Sequence, residues 1–315
     1  WVAAGTGIYR YETGTVENFT TVDGVPLSDV SLSAATGDGS VWFGSDQGPA
    51  NVLVRFDASV TNASQRRFID TKEEGYAGQA ILGLDSDSRG GLWLGRSGGI
   101  HYFNPQAAAQ GQERYRLPPG VAELKRGYTM AFLVDSNKTM WFGKWQNRLW
   151  RLPYDKIWDA DAVAEQFTGV TNWVACLFED SRGAIWTSAR YRAQGICRIQ
   201  GDQVEHFSTE STGGALPSDS VWSFEEGPDG LLYIGTESGL ARYDGSRFST
   251  LEGTSDRPVP SGVIFKILRD RDNVMWFASE SGVFRYDGIT WSSLDEEDGL
   301  ISSMVRTISQ DASGA

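Results

Sequence analysis

The residues best suited to chemistry gather between positions 96 and 192. Arg96, Lys125, Arg126, Tyr128, Lys144, Trp145, Asn172, Trp173, Arg190, Tyr191 and Arg192 interleave cations with aromatic rings. Aromatic faces stack on the C–H faces of sugars, and a guanidinium donates two parallel hydrogen bonds to a carboxylate. Together they suit a carbohydrate ligand, and in particular an acidic or partly oxidised oligosaccharide. The plainer alternative is that the cations cap exposed turns and the rings pack between structural elements. The set stands out because the rest of the chain is acidic. With 28 Lys and Arg against 41 Asp and Glu, the formal charge is −13. A broad acidic surface argues against nucleic acid or an anionic membrane as partner, since both bind through a basic face.

Other chemistries find less support. There are two histidines, His101 and His206, and both are expected to be structural, so neither a histidine-held metal nor a Ser-His-Asp triad is expected. The run from Asp85 to Gly90, DSDSRG, looks like a calcium loop but lacks the distal Glu of a strong oxygen-ligand loop, so it is read as turn chemistry. Cys176 and Cys197 fall on the first and third of four adjacent strands in the register derived below. At about twice the ~4.8 Å strand spacing they are out of disulfide reach, and they are read as small buried hydrophobes. No metal, cofactor or catalytic residue is expected.

The elements that position these residues come from a repeat. The stretch LLYIGTESGLARYDG at 231–245 recurs as MWFASESGVFRYDG at 275–288 and as WVAAGTGIYRYE at 1–12, with looser copies at Trp42, Trp93, Trp141 and Trp186. In each, an apolar-aromatic-apolar run ending in Gly, Ala or Ser is followed by a short polar turn. A second run, Gly-apolar-x-Arg-aromatic, then stops at Asp-Gly. These are two short strands joined by a tight hairpin.

The anchoring aromatics Trp1, Trp42, Trp93, Trp141, Trp186, Tyr233 and Trp276 are separated by 41, 51, 48, 45, 47 and 43 residues. Periods of 40 to 50 residues with several strands apiece predict a propeller. The best-formed blade has strand A at 220–226, B at 231–235, C at 240–243 and D at 247–251, each break carrying Gly, Pro or Asp. The fold class is therefore all-β: a seven-bladed β-propeller with four antiparallel strands per blade, residues 1–315 forming one domain. In two A–B turns Gly is replaced, by Asn273 and by Asn137-Lys138; Asn is expected to supply the positive φ there. The last copy stops after a strand A near 304–310, whereas the first begins at strand B. The last blade is thus expected to close with strand A from the C-terminus and strands B to D from the N-terminus, pairing edges that would otherwise lie bare.

In an up-and-down blade the D–A connections share one face with the B–C turns. All the cations and rings named above fall on those segments, which makes that loop face the expected recognition surface. The Arg of Gly-x-x-Arg-Tyr (Arg10, Arg242, Arg285, and Arg198 in a variant) recurs too regularly to be catalytic, and a pair with a turn carboxylate is expected instead. The longest apolar runs are strand-sized, so no transmembrane helix is expected. No initiator Met, basic leader or cleavage motif opens the chain, so ends trimmed from a longer protein are expected.

The phrases DGLLYIGTESGLARYDGSRF and DNVMWFASESGVFRYDGITW, with the strand lead-ins Leu27-Ser28-Asp29-Val30 and Ser218-Asp219-Ser220-Val221, resemble the two-component regulator propeller repeat. The resemblance covers the whole chain and is strongest in the Tyr233, Trp276 and Trp1 blades. It implies a bacterial extracytoplasmic sensor region, periplasmic or extracellular, joined to signalling modules outside this chain, in a family many of whose members sense carbohydrates. It transfers no catalytic residue, because the motif residues are structural. The expected function is a non-catalytic, ligand-sensing propeller that recognises a small molecule or oligosaccharide through Arg96, Arg126, Tyr128, Lys144, Trp145, Trp173, Arg190, Tyr191 and Arg192. A docking or homodimerising scaffold is the second possibility. A propeller polysaccharide lyase with Tyr128 or Tyr191 as base is the third.

Overall fold

The computed structural model describes residues 1–315 apart from 6, 13–14, 23–24, 28, 46–51, 57–66, 71–79, 88–89, 97, 108–114, 122–126, 146–147, 171–172, 191–192, 252–258, 301, 312–313 and 315. Among the described residues there are seven four-stranded antiparallel sheets and one two-stranded ladder, Thr21–Val22 with Val25–Pro26. The innermost strands are Val30–Ala35, Ile81–Ser86, Thr129–Val134, Cys176–Glu179, Val221–Glu226, Ile264–Arg269 and Val305–Ile308. Each touches the next round the ring, and the last touches the first. The result is a seven-bladed β-propeller. In the Tyr233 blade the strands run Val221–Glu226, Leu232–Thr236, Gly239–Tyr243 and Phe248–Leu251, within one residue of the expected bounds.

The anchors explain why the repeat packs this way. Trp42, Trp93 and Trp186 are fully buried, and each such ring takes roughly 150–250 Å² out of water. A buried indole also needs a partner for its N–H. In the Trp141, Trp186 and Trp276 blades the A–B turn supplies it: Asp135, Asp180 and Asp270 accept from the anchor Nε1 at 2.8, 2.8 and 2.7 Å. Asp229 accepts from the Tyr233 hydroxyl at 2.9 Å. The same carboxylates accept from backbone N–H groups inside their own turns, as Asp180 does from Arg182 and Ala184. One side chain therefore fixes the turn and the wedge together.

Directly across from the anchor sits the recurrent Arg. Trp42 pairs with Arg55, Trp141 with Arg151, Trp186 with Arg198 and Trp276 with Arg285. The guanidiniums lie 5.7 to 6.0 Å from the centroids of those rings, a cation–π arrangement. Several also meet a carboxylate: Arg55 and Arg285 pair with the turn residues Asp38 and Asp287 at 2.8 and 3.3 Å, as expected, whereas Arg198 pairs with Glu205 of the neighbouring strand at 2.8 Å. In the Trp93 blade Tyr102 takes the Arg position and packs on Trp93 at 4.8 Å.

Closure occurs as the register predicted. Val2–Ala4 pairs with Val305–Ile308, and Trp1 and Ser309 exchange two backbone hydrogen bonds of 2.9 Å. Three expectations are refined. Both cysteines are free thiols on the first and third strands of the Trp186 blade, and Cys176 is only half-buried. The left-handed residue of the Trp141 blade turn is Lys138, at φ 62°, and not the Asn before it; in the Trp276 blade it is Asn273, at φ 61°. Asp85 is not a turn residue. It lies in an inner strand, and the turn is built on Asp87, whose backbone exchanges hydrogen bonds with Gly90 and Gly91.

Candidate functional site

Where the inner strands begin, the ladder slips. The register shifts between Val30 and Leu32, Ile81 and Gly83, Thr129 and Ala131, Val221 and Ser223, and Ile264 and Lys266, and opposite Arg306 in the closing blade. Each shift leaves one residue without a cross-strand partner, which is a β-bulge that re-aims a side chain. Five of the six bulge residues ring one end of the central channel. Ser31, Met130, Trp222, Phe265 and Arg306 line it, together with Ala175 at the equivalent place in the Trp186 blade.

This end belongs to the loop face. Trp145, Glu237 and Glu280, each in a B–C turn, donate backbone hydrogen bonds of 2.9 to 3.0 Å to Tyr128, Ser220 and Val263 in the connections leading to the inner strands. The two sets of loops are thus stitched together on one face, as the up-and-down topology requires. On that face Tyr128, Trp145 and Trp173 form a run of rings, with centroids 5.3 and 4.1 Å apart. Tyr128 is 45% exposed, and both tryptophans are half-buried.

A second run starts at Arg190, in the B–C turn of the Trp186 blade. Its guanidinium lies 5.8 Å from the Trp222 ring; Trp222 meets Phe265 edge-on at 5.2 Å; Arg306 lies 4.7 Å from Phe265. Cation, ring, ring, cation thus span four adjacent blades at the channel mouth. Trp173 and Arg190 are carried by loop-face segments of one blade, whose turn residue Gln194 accepts the Trp173 backbone N–H at 3.1 Å.

Of the residues singled out from the sequence, the structure brings Tyr128, Trp145 and Trp173 into contact and places Arg190 at the channel mouth. Arg126, Tyr191 and Arg192, like Lys125 and Asn172, lie outside the described residues. Arg96 and Lys144 are not displayed on the loop face: they are only 1% and 6% exposed. Both end a second strand at a position where other blades keep a small hydroxyl to hold the B–C turn. There Thr236 Oγ1 donates to Gly239 O at 2.7 Å and Ser279 Oγ to Gly282 O at 2.9 Å. A side chain at this position points into the blade, and Arg96 accordingly lies 5.9 Å from the Tyr115 ring. His101 is buried within its blade, and burial, aided by Arg96, pushes its imidazole down to about 4. His206 lies on an outer strand with Nδ1 3.2 Å from Cys197 Sγ.

Trp222, Phe265 and Arg306 escaped the sequence analysis, and so did the charged wall beneath them. The channel encloses about 560 Å³ and is lined by Asp85, Cys176, Arg190, Glu225, Lys266 and Arg306. Burial pushes the Asp85 carboxyl up to about 6 and that of Glu225 up to about 7, against the opposing pull of Lys266 and Arg269. Burial pulls Lys266 down, and the nearby Arg190 acts in the same direction. The Cys176 thiol is raised by burial, which makes it a poor nucleophile. A signal existed in the aligned repeats. The second residue of six of the inner strands is the bulge, and reading that column gives Ser31, Leu82, Met130, Trp222, Phe265 and Arg306, of which all but Leu82 line the channel.

Comparison with known proteins agrees with this architecture. A family model described as two component regulator propeller matches residues 215–238, the lead-in and first hairpin of the Tyr233 blade. The fold is similar to the extracellular domain of a putative hybrid two component system from B. thetaiotaomicron, with TM-score 0.66 and 17% identity over 90% of this chain; the chain spans only 37% of that structure. It is also similar to a streptogramin B lyase, with TM-score 0.65 and 16% identity over 91% of this chain and 88% of the other. PorZ, described as an essential bacterial surface component of the type-IX secretion system of Porphyromonas gingivalis, gives TM-score 0.65 and 13% identity over 94% of this chain and 46% of its own. A sequence comparison with curated proteins found no match. At these identities the structural likenesses show the fold.

Proposed function

We propose, for a chain built on the two component regulator propeller repeat, that residues 1–315 act as one non-catalytic sensor unit whose loop face binds a carbohydrate. The observation that carries this is the contact run Tyr128, Trp145 and Trp173, with centroids 5.3 and 4.1 Å apart. A shelf of partly exposed rings offers flat apolar area to sugar C–H faces and loses little conformational entropy on binding, because its members already pack on one another. Arg190 supplies a guanidinium beside it, and Arg126, Tyr191 and Arg192 are proposed to complete the rim. Indole rings and guanidiniums hold and orient a ligand without withdrawing a proton, which favours sensing over turnover.

Signalling modules outside residues 1–315 would read the bound state, and a bacterial extracytoplasmic location, periplasmic or extracellular, fits that arrangement. The extracellular two-component domain of similar fold supports it. The test is a glycan array followed by calorimetric titration of the best neutral and acidic oligosaccharides, with wild type beside the W145A/W173A double variant. Binding that survives loss of both rings would remove the platform from the proposal.

A further inference from the structure

Three cations face the central channel without a counter-charge at bonding distance. Arg190, Lys266 and Arg306 all line it, and among the described residues none of the three has a hydrogen bond or an ion pair. Two of them are braced by aromatic rings, Arg190 on Trp222 at 5.8 Å and Arg306 on Phe265 at 4.7 Å. Lys266 follows Phe265 in the same strand, one position deeper. In a chain of net charge −13, a concentration of unneutralised cations inside the fold costs stability unless something offsets it.

The channel's own acids do so poorly. Asp85 reaches Lys266 across the channel from the Trp93 blade, and its Oδ1 already accepts the Ser86 N–H at 2.8 Å. Glu225, from the Tyr233 blade, is drawn to the backbone N–H of Arg269 and Glu226. Both carboxyls hold protons more readily than usual, at about 6 and about 7. Asp29 also lines the channel, but among the described residues no acid lies at bonding distance of the three cations, so their charge is offset only in part. Cys176, also facing Lys266, stays a neutral thiol.

We propose that the central channel is a binding site for a small carboxylate anion, held by Lys266 at its centre and by Arg190 and Arg306 at the mouth. A volume of about 560 Å³ accommodates one sugar acid or a short dicarboxylate. The anion would supply the charge that the wall lacks, with Trp222 and Phe265 keeping the two guanidiniums in place. Binding weakens with rising pH, because Asp85 and Glu225 gain negative charge. The site shares Arg190 with the rim of the loop face but includes none of Tyr128, Trp145 and Trp173, and it does not require that shelf to hold a sugar.

The experiment titrates sodium D-glucuronate into the full chain at fixed ionic strength, with sodium chloride and D-glucose as controls, and reads heat and melting temperature. Expected is saturable binding of glucuronate that glucose and chloride do not reproduce, stronger at pH 6 than at pH 8. K266M and R306M are each expected to weaken it about tenfold, or 1.4 kcal/mol. K266M should melt no lower than wild type, because Met replaces an ammonium that burial already disfavours. W145A/W173A should bind glucuronate as wild type does. The proposal is overturned if wild type shows no response beyond chloride, or if glucose matches glucuronate. It is equally overturned if R306M and K266M stay within twofold of wild type, or if W145A/W173A alone abolishes the response.

Discussion

The indole Nε1 of Trp1 donates a 2.9 Å hydrogen bond to the carboxylate of Asp311, joining two residues 310 positions apart. In the Trp141, Trp186 and Trp276 blades the same bond runs from an anchor to an Asp six positions earlier. The closing blade therefore repeats a local device across the two ends of the chain. Both partners are buried, so removing the acceptor leaves an N–H without a partner, at a cost of roughly 1–3 kcal/mol. D311A should lower the urea midpoint by at least as much as D180A, its local counterpart. An unchanged midpoint would mean that this bond contributes nothing to closure.

The aromatic shelf gives a prediction about binding without folding. Tyr128, Trp145 and Trp173 are partly exposed, so W145A/W173A should keep the melting temperature within a few degrees of wild type, since the ring contacts it removes are worth roughly 0.5–1.5 kcal/mol each. Affinity for the best oligosaccharide should fall about tenfold or more, as base and sugar stacking of this size implies. Equal affinity in a well-folded variant would count against the shelf.

Lys138 holds φ 62° in the Trp141 blade turn, where the Trp186 blade has Gly183 at φ 75°. A side chain with a Cβ pays steric strain in that region. K138G should therefore raise stability by about 0.5–1 kcal/mol, measured as a higher urea midpoint with unchanged slope. N273G should gain less, because Asn tolerates the left-handed region better.

Glu225 makes stability depend on pH with a definite sign. Burial lifts its carboxyl from 4.5 to about 7 in the folded chain. Between those values the folded form keeps a proton that the unfolded form has lost, so this contribution is complete below about pH 4.5 and is lost as pH rises through 7. E225Q removes the titration. Calorimetric scans should show it near wild type at pH 5 and more stable by about 1–2 kcal/mol at pH 8. A gap independent of pH would show that the carboxyl ionises freely.

The blade number, the anchors and the closure were legible because the propeller repeats its local chemistry. Asp in a turn, an aromatic in the next strand and an Arg across from it recur in fixed order, and each satisfies its neighbours inside one blade. Arg96 and Lys144 were misplaced because residue type suggested an exposed cation. Their position in the blade, the one that holds Thr236 and Ser279 elsewhere, directs the side chain inward. Trp222 and Phe265 looked like ordinary strand residues until the register shift turned them toward the channel.

Periodicity alone determined a ring of seven four-stranded blades and the junction of its ends, because hydrogen-bonded hairpins and buried wedges depend on neighbours near in sequence. Which charges face one another did not follow from it. Asp85 and Lys266, 181 positions apart in the sequence, come within electrostatic reach only because the ring closes. The low-dielectric wall that sets their protonation is assembled from the inner strands of several blades, so the chemistry of the channel is a property of the tertiary structure.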